Sequence, residues 1–533
     1  MTKARFCGNI YTKMKRNCLH SGAIFHFLST YIQYLLKKFI FVECLLSAIR
    51  RRKQAMNKLK LAYAPTRRFV FSKEDALKYK ELIRKKIESF DLDVEIIDLE
   101  GINDEGLLHE RHEEAEIIKR FKDAEVDAIF VPHCNFGTED IVARVTKALD
   151  KPVLLWGPRD EAPLENGIRL RDTQCGLFAT GKVLRRFGVK FTYITNCRVD
   201  DPVFERGFKN FIAAANVVKR FKNLRILQIS TRPSDFWSVI CNEGELLERF
   251  GIQIHPISLE DLRKSVLRIE KIGGDVLEDE IKLMKEAVDW GELPDESISK
   301  MAALKIAIRR MVDQTRSNAV AIQCWSALQS ITGIMPCFVN ALLTDEQIPV
   351  TCETDIHGAI TSIMVQAATM NKKPTFFADI TVRHPENPNG ELLFHCGNFP
   401  LSMNVDKKPK LQRHFLFDDH APGTLEGEVE GGDMTIARFD GDHGEYSIFL
   451  GKAKGIEGPY TRGSYVWVEV NDWPLWEEKL VKGPYIHHST GIHEDVVPVI
   501  YEACQYIPGL TPDPVDPTEA EIQAWLRGSD LNK

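Results

Sequence analysis

Two short apolar runs in the middle of the chain, VTC and PTFFA, each end on a carboxylate, Glu353 and Asp379. Downstream, the apolar run ELLFHCGNF carries His395, and GPYIHHSTGIH offers His487, His488 and His493. Each residue taken alone has a structural explanation. An acidic group before the helical stretch that opens near Asp355 favours the helix dipole or caps the first turn. A histidine in an apolar run sits satisfied in a core, and an HH pair is a polar loop. Taken together, Glu353, Asp379, His395 and His488 form a mixed oxygen and nitrogen set. Such a set suits Mn²⁺, with Co²⁺, Fe²⁺ or Mg²⁺ as alternatives, and leaves open positions for substrate oxygens. It contains no thiolate, which disfavours structural zinc. His357 lies four residues after Glu353, at a spacing that shares a helix face. That spacing is common on amphipathic helices, so His357 is placed outside the ligands.

The elements that must gather these residues follow from the hydrophobic patterning. From Leu59, KLKLAYA, DVEIIDL, DAIFVPH, PVLLWGP and FTYITN read as strands. Between them lie helical stretches at Ser72–Ser89, Asp104–Phe121, Glu139–Leu149 and Cys175–Phe187. This alternation implies parallel strands joined by right-handed crossovers. A second series runs through LRILQIS, IQIHPIS, NAVAIQC, IPVTCE and PTFFADI, with helical stretches at 243–250, 259–316, after Gly333 and at 355–370. After Ile380 helical periodicity vanishes, and Gly, Asp and Pro accumulate among alternating runs such as DMTIARFDGD and SYVWVEV. That pattern is antiparallel β, a sandwich or barrel. The tail HEDVVPVIYEACQYI reads as helix.

The expected fold is therefore α/β: two doubly wound parallel α/β domains at 56–222 and 223–380, then a β-rich C-terminal domain at 381–533 with a short helical tail. In parallel sheets, ligands sit outside the carboxyl ends of the strands, which is where Glu353 and Asp379 are expected. A length of 533 residues is too great for one core and matches about two to four domains.

A formal charge of -6, with no basic cluster beyond the N-terminal region, argues against nucleic acid as a partner. Twelve cysteines without any CxxC read as reduced thiols in a cytoplasmic protein rather than a disulfide framework. Residues 1–55 are apolar and aromatic, then basic, and read as an extension outside the fold with Met56 as the natural first residue. Lys37 and Lys38 break the apolar run too early for a good bilayer span; a membrane anchor is the alternative.

The order CETD, FADI, LFHCGN, HHSTGIH, with two α/β domains and a β-rich end, resembles the L-fucose isomerase and L-arabinose isomerase superfamily over nearly all of the chain from Met56. The resemblance implies a metal-dependent aldose–ketose isomerase working through a cis-enediol, and a homo-oligomer. It implies Glu353 and Asp379 as both metal ligands and the acid–base pair, and His488 as a further ligand. His395 matches a ligand of the arabinose-type members, whereas fucose-type members use no histidine there. Gln323, Trp325 and Ser326, ending NAVAIQC, are expected to face the sugar. The TRR segment containing Arg67 and Arg68 resembles an Arg-containing substrate loop. Trp473 or Trp476 either stacks on a sugar ring or packs in a core, with packing preferred. Fucose, arabinose, another deoxy sugar and an acidic sugar all remain open as substrates. A non-catalytic sugar-binding or sensor protein and a metal-dependent aldolase are the competing classes.

Overall fold

Ser72 accepts a hydrogen bond from the Asp75 amide and so starts the first crossover helix, Lys73–Glu88, with acidic residues in its first turn and lysines in its last. The computed structural model describes residues 58–529 apart from 325–326 and 418–419. The expectations for residues 1–55, Trp325 and Ser326 therefore lie outside the described residues. Among the described residues, no helix is long and apolar enough to cross a membrane.

The first helix joins β1 (Leu59–Tyr63) to β2 (Val94–Ile97); β3 (Ala128–Pro132), β4 (Val153–Trp156) and β5 (Thr192–Tyr193) complete a sheet of order β2-β1-β3-β4-β5. All its pairings are parallel. The second sheet holds β6 (Arg225–Ile229), β7 (Gln253–Ile257), β8 (Ala319–Ile322) and β9 (Val350–Thr351) in the order β7-β6-β8-β9, again parallel. One helical expectation fails locally. Residues 104–113 do not join the helix, which spans Glu114–Asp123. The Asn103 side chain accepts from the Glu105 and Leu107 amides, a local bond that competes with helix formation.

The third sheet comprises β10 (Phe376–Arg383), β11 (Gly390–His395), β12 (Lys410–Arg413), β13 (Pro422–Glu428), β14 (Asp433–Asp442), β15 (Glu445–Ile456), β16 (Ser464–Glu469), β17 (His488–Ile492) and β18 (Leu510–Asp516). Its order is β12-β13-β16-β11-β10-β17-β14-β15-β18, and β15 also pairs with β16. Six strands thus close into an antiparallel barrel. PTFFADI belongs here: β10 pairs antiparallel with both β11 and β17. Asp379 is therefore on a barrel strand and not at the mouth of a parallel one. Trp473 and Trp476 lie on a helix, Trp473–Lys482, that Asp472 caps. Trp473 and Trp476 are buried in the barrel's apolar cluster, the packing role preferred for them.

Two buried helices join these parts. The helix Pro202–Lys222 places Phe204 and Phe208 against Phe130. The helix Ile356–Ala368 is buried at every position. Asn216 on the first donates to the Ala367 carbonyl on the second at 2.8 Å. Their residues share one apolar cluster with side chains from both parallel sheets and the barrel. Nothing apolar is left to face water on the second helix, so its position and rotation are fixed by packing on all sides.

Candidate active site

β11, β10 and β17 are neighbours, and their register sets Asp379 opposite His488 on one side and Phe394 on the other. His395, Asp379 and His488 thus come from three adjacent barrel strands. Glu353 arrives from outside the barrel, just beyond β9 of the second parallel sheet. Glu353 and Thr354 both have left-handed backbones, with φ of 52° and 58°. Residues without a glycine's freedom hold such angles only where the surroundings enforce them. Here the Thr354 amide donates to the Ile322 carbonyl, the Asp355 amide donates to the Cys352 carbonyl, and the Glu353 amide donates to Cys324 Sγ.

The result is a tight group. Glu353 Oε2 lies 3.6 Å from His395 Nε2 and 3.8 Å from His488 Nε2. His488 Nε2 lies 3.5 Å from Asp379 Oδ1. His487 Nε2 stands 3.9 Å from the same oxygen. Glu353, His395 and His488 are buried, whereas the Asp379 side chain keeps 27% of its exposure and marks the open side. Phe236 stacks beside His488 at 5.8 Å, and Phe377 meets it edge-on at 4.9 Å.

The two histidines differ in what their second nitrogen does. His488 Nδ1 lies 2.9 Å from Asp355 Oδ2, so it carries the proton and leaves the Nε2 lone pair directed at the carboxylates. Asp355 is itself fixed: Arg438 pairs with it, and Oδ1 accepts from the Gly358 amide at 2.9 Å. Arg438 also binds Asp440, which accepts from His357 Nδ1 at 2.8 Å. His357 therefore anchors this buried charge network and does not turn toward Glu353. In His395 the Cys396 backbone N–H donates to Nδ1 at 2.9 Å, so the ring proton sits on Nε2.

Burial disfavours ionisation of Glu353, but His395, His488 and the Cys324 thiol outweigh it and bring the carboxyl down to about 2. Burial acts the same way on Asp355, where Arg438 and then His488 hold the carboxyl well below the usual range. Both carboxylates are ionised at neutral pH. Asp379 Oδ1 and His395 Nε2 are buried atoms without a hydrogen-bond partner. In a native site such atoms mark a place for something else, because leaving them unmet costs about 1–3 kcal/mol each.

The other expected residues lie elsewhere or alongside. Gln323 closes β8 next to Cys324 and accepts from Ser230 Oγ at 2.9 Å. Arg67 lies at the mouth of the first sheet, where its guanidinium is committed to Glu105, with one contact at 2.8 Å. Sequence reading missed His487 as a neighbour of Asp379, the role of Asp355 behind His488, and the thiols of Cys324 and Cys352 at Glu353. Arg438 had a signal: a cation in the middle of the otherwise apolar run MTIARF.

A family model described as "Fucose/sulfoquinovose isomerase, N-terminal domain" matches residues 62–222. A sulfoquinovose isomerase from Priestia aryabhattai is 23% identical over 362 residues, covering 66% of this chain and 76% of its own. Another from Alkalicoccus urumqiensis is 22% identical and covers 70% and 83%. A third, from Clostridium sp. (strain MSTE9), is 25% identical and covers 52% and 60%. Among solved structures, a periplasmic solute-binding protein from Actinobacillus succinogenes 130z with bound D-allose covers 58% of this chain and 92% of its own at 11% identity, with a TM-score of 0.16, too low to argue from. The match to the N-terminal family model and the sulfoquinovose isomerase relatives agree with the residue order that includes Glu353, and together they support an isomerase of the fucose isomerase-like superfamily.

Proposed function

We propose that this chain is a metal-dependent aldose–ketose isomerase whose cation is held by Glu353, Asp379 and His488. The observation that carries the reading is the meeting of those three side chains, within 3.8 Å of His488 Nε2, from two different sheets. The donor set fits a hard divalent cation such as Mn²⁺: two carboxylate oxygens, one neutral imidazole nitrogen oriented by Asp355, and a buried oxygen with no other partner. His395, expected as a fourth ligand, is assigned a different role, because its lone pair at Nδ1 is occupied and its Nε2 carries a proton. That N–H is a donor for a sugar oxygen.

A cation held by Glu353, Asp379 and His488 would supply Lewis acidity to the reacting oxygens. The residues do the proton work. One carboxylate removes the proton on C2 while the carbonyl oxygen on C1 gains one, giving a cis-enediol. The proton on the second oxygen then leaves, C1 is protonated, and the carbonyl stands at C2. No atom is lost and no external oxidant takes part. Glu353 and Asp379, both close to His488 Nε2, are the two exchangers, and His395 supports the oxygen on which negative charge develops. Sulfoquinovose, the sugar named for the relatives, is the first substrate to test, beside fucose and arabinose. A cytoplasmic setting agrees with the free state of the nine described cysteines. A homo-oligomer agrees with the family.

The test is incubation of the Mn²⁺-loaded chain with an aldose panel in D₂O. Ketose carrying one solvent deuterium, without carbon–carbon cleavage, is expected, and Glu353→Gln should lower turnover by about 10³-fold or more with unchanged circular dichroism. Unchanged sugar across the panel, or normal turnover by the Gln variant, overturns the assignment.

A further inference from the structure

Four cysteines at unrelated sequence spacings converge beside Glu353. Cys324 follows β8 and Cys352 follows β9, two strands that pair in parallel in the second sheet. Their sulfurs and a Glu353 carboxylate oxygen all lie within 4.8 Å of one another, and all three residues are buried. Cys324 Sγ donates to Glu353 Oε1 at 3.1 Å and accepts from the Glu353 amide at 3.4 Å. Cys352 Sγ accepts from the side-chain amides of Asn398 at 3.5 Å and Asn340 at 3.8 Å. Cys337 and Cys396 lie close enough to interact electrostatically with Cys352.

This grouping puts three donor atoms within reach of one tetrahedral ion. With metal–sulfur bonds of about 2.3 Å, two sulfurs on the same ion stand about 3.8 Å apart, so the three atoms require only small side-chain rotations to share it. The Asn398 and Asn340 side-chain N–H groups directed at the Cys352 sulfur would help to hold it in place once an ion has displaced its proton. We infer that Cys324, Cys352 and Glu353 form a binding site for thiophilic divalent cations, Zn²⁺ or Cd²⁺, next to the oxygen and nitrogen set and sharing Glu353 with it.

Binding exchanges two S–H bonds for two metal–sulfur bonds. Both protons pass to solvent, and nothing is oxidised or reduced. Mn²⁺ and Mg²⁺ prefer oxygen and do not displace thiol protons, so the two sites sort cations by softness. An ion seated on the thiols also takes the Glu353 oxygen that the hard cation uses, which makes soft cations competitors of Mn²⁺. The site stands without the isomerase reading, because its readout needs neither sugar nor turnover.

The experiment is a Cd²⁺ titration of the full-length, metal-stripped chain, followed by the sulfur-to-cadmium charge-transfer band in the ultraviolet. A band that saturates at one equivalent is expected. It should disappear in Cys324→Ser/Cys352→Ser and persist in Cys175→Ser, which removes an exposed thiol far along the chain. A band of wild-type strength in the double variant overturns the assignment, as does its absence from the wild type. Calorimetry on the wild type in two buffers of different ionisation enthalpy tests it without any variant: two protons released per Zn²⁺ support the site, and none released overturns it.

Discussion

Replacing Asp355 by Asn keeps the side chain's size and removes its charge. The carboxylate serves His488 Nδ1, the Gly358 amide and the Arg438 guanidinium at once. Removing one partner of a buried ion pair costs about 3–5 kcal/mol, and losing the group that orients a ligating histidine costs about 10–100-fold in metal affinity. Asp355→Asn should therefore show both a lower denaturant midpoint and weaker Mn²⁺ binding by electron paramagnetic resonance. Stability lost with Mn²⁺ affinity unchanged would separate Asp355 from the site. At this scale the sequence was informative where a residue broke a local rule. Glu353 and Asp379 stood out as carboxylates ending apolar runs, and His488 as one of an HH pair. Asp355 looked like a helix cap and is one. Its contact with His488, 133 positions away, leaves no local mark, because nothing in the CETD segment depends on it. The thiols were hidden for the same reason: their spacing along the chain is irregular, and only the pairing of β8 with β9 joins them.

The helix Ile356–Ala368 is the element that holds the site to the molecule, and Gly358 in its first turn is where it has no room. A Cβ built there meets Phe377 Cε2 at 2.6 Å and Asp355 Oδ2 at 2.8 Å. Overpacking of this kind costs about 1–3 kcal/mol, and here the neighbours forced to move are the Asp355 that orients His488 and the Phe377 ring beside it. Gly358→Ala should lower the melting temperature and weaken Mn²⁺ binding together. A variant that melts earlier but binds Mn²⁺ as before would show that the helix start and the site move independently. This helix was readable because apolar residues recur at its period and Asp355 is a good cap. β10 was read correctly as a strand but put in the wrong sheet. PTFFADI is apolar and follows a helix, as a parallel strand does, and periodicity alone does not report which neighbours a buried strand will pair with. The stretch 104–113 misled in the other direction, since its composition suits a helix while Asn103 ties its backbone into a turn.

At the scale of the whole molecule, the C-terminal helix Val497–Cys504 returns to the first sheet, and a single buried carboxyl marks the contact. Glu502 Oε2 accepts from Asn210 Nδ2 at 2.6 Å, its other oxygen accepts from the Thr192 hydroxyl on β5, and Tyr506 donates to the Val153 carbonyl at 3.0 Å. Burial is the dominant influence and pushes the Glu502 carboxyl up to about 7 despite those two donors. An unfolded Glu titrates near 4.3. Between about pH 4.3 and about pH 7 the folded chain thus holds a proton that the unfolded chain has released. Folding stability must fall as pH rises through that window and level off above it. The full difference is about 4 kcal/mol, counting about 1.4 kcal/mol per pH unit. Glu502→Gln has no charge to bury, and Asn210 has an unused amide oxygen that can face the new amide after a flip. The variant should match the wild type near pH 4, gain on it through neutrality, and exceed it by a few kcal/mol near pH 8 in urea denaturation. Parallel curves for the two proteins across that range would mean that Glu502 stays ionised in the fold, and that the joint between the C-terminal helix and the first sheet is not a protonated one.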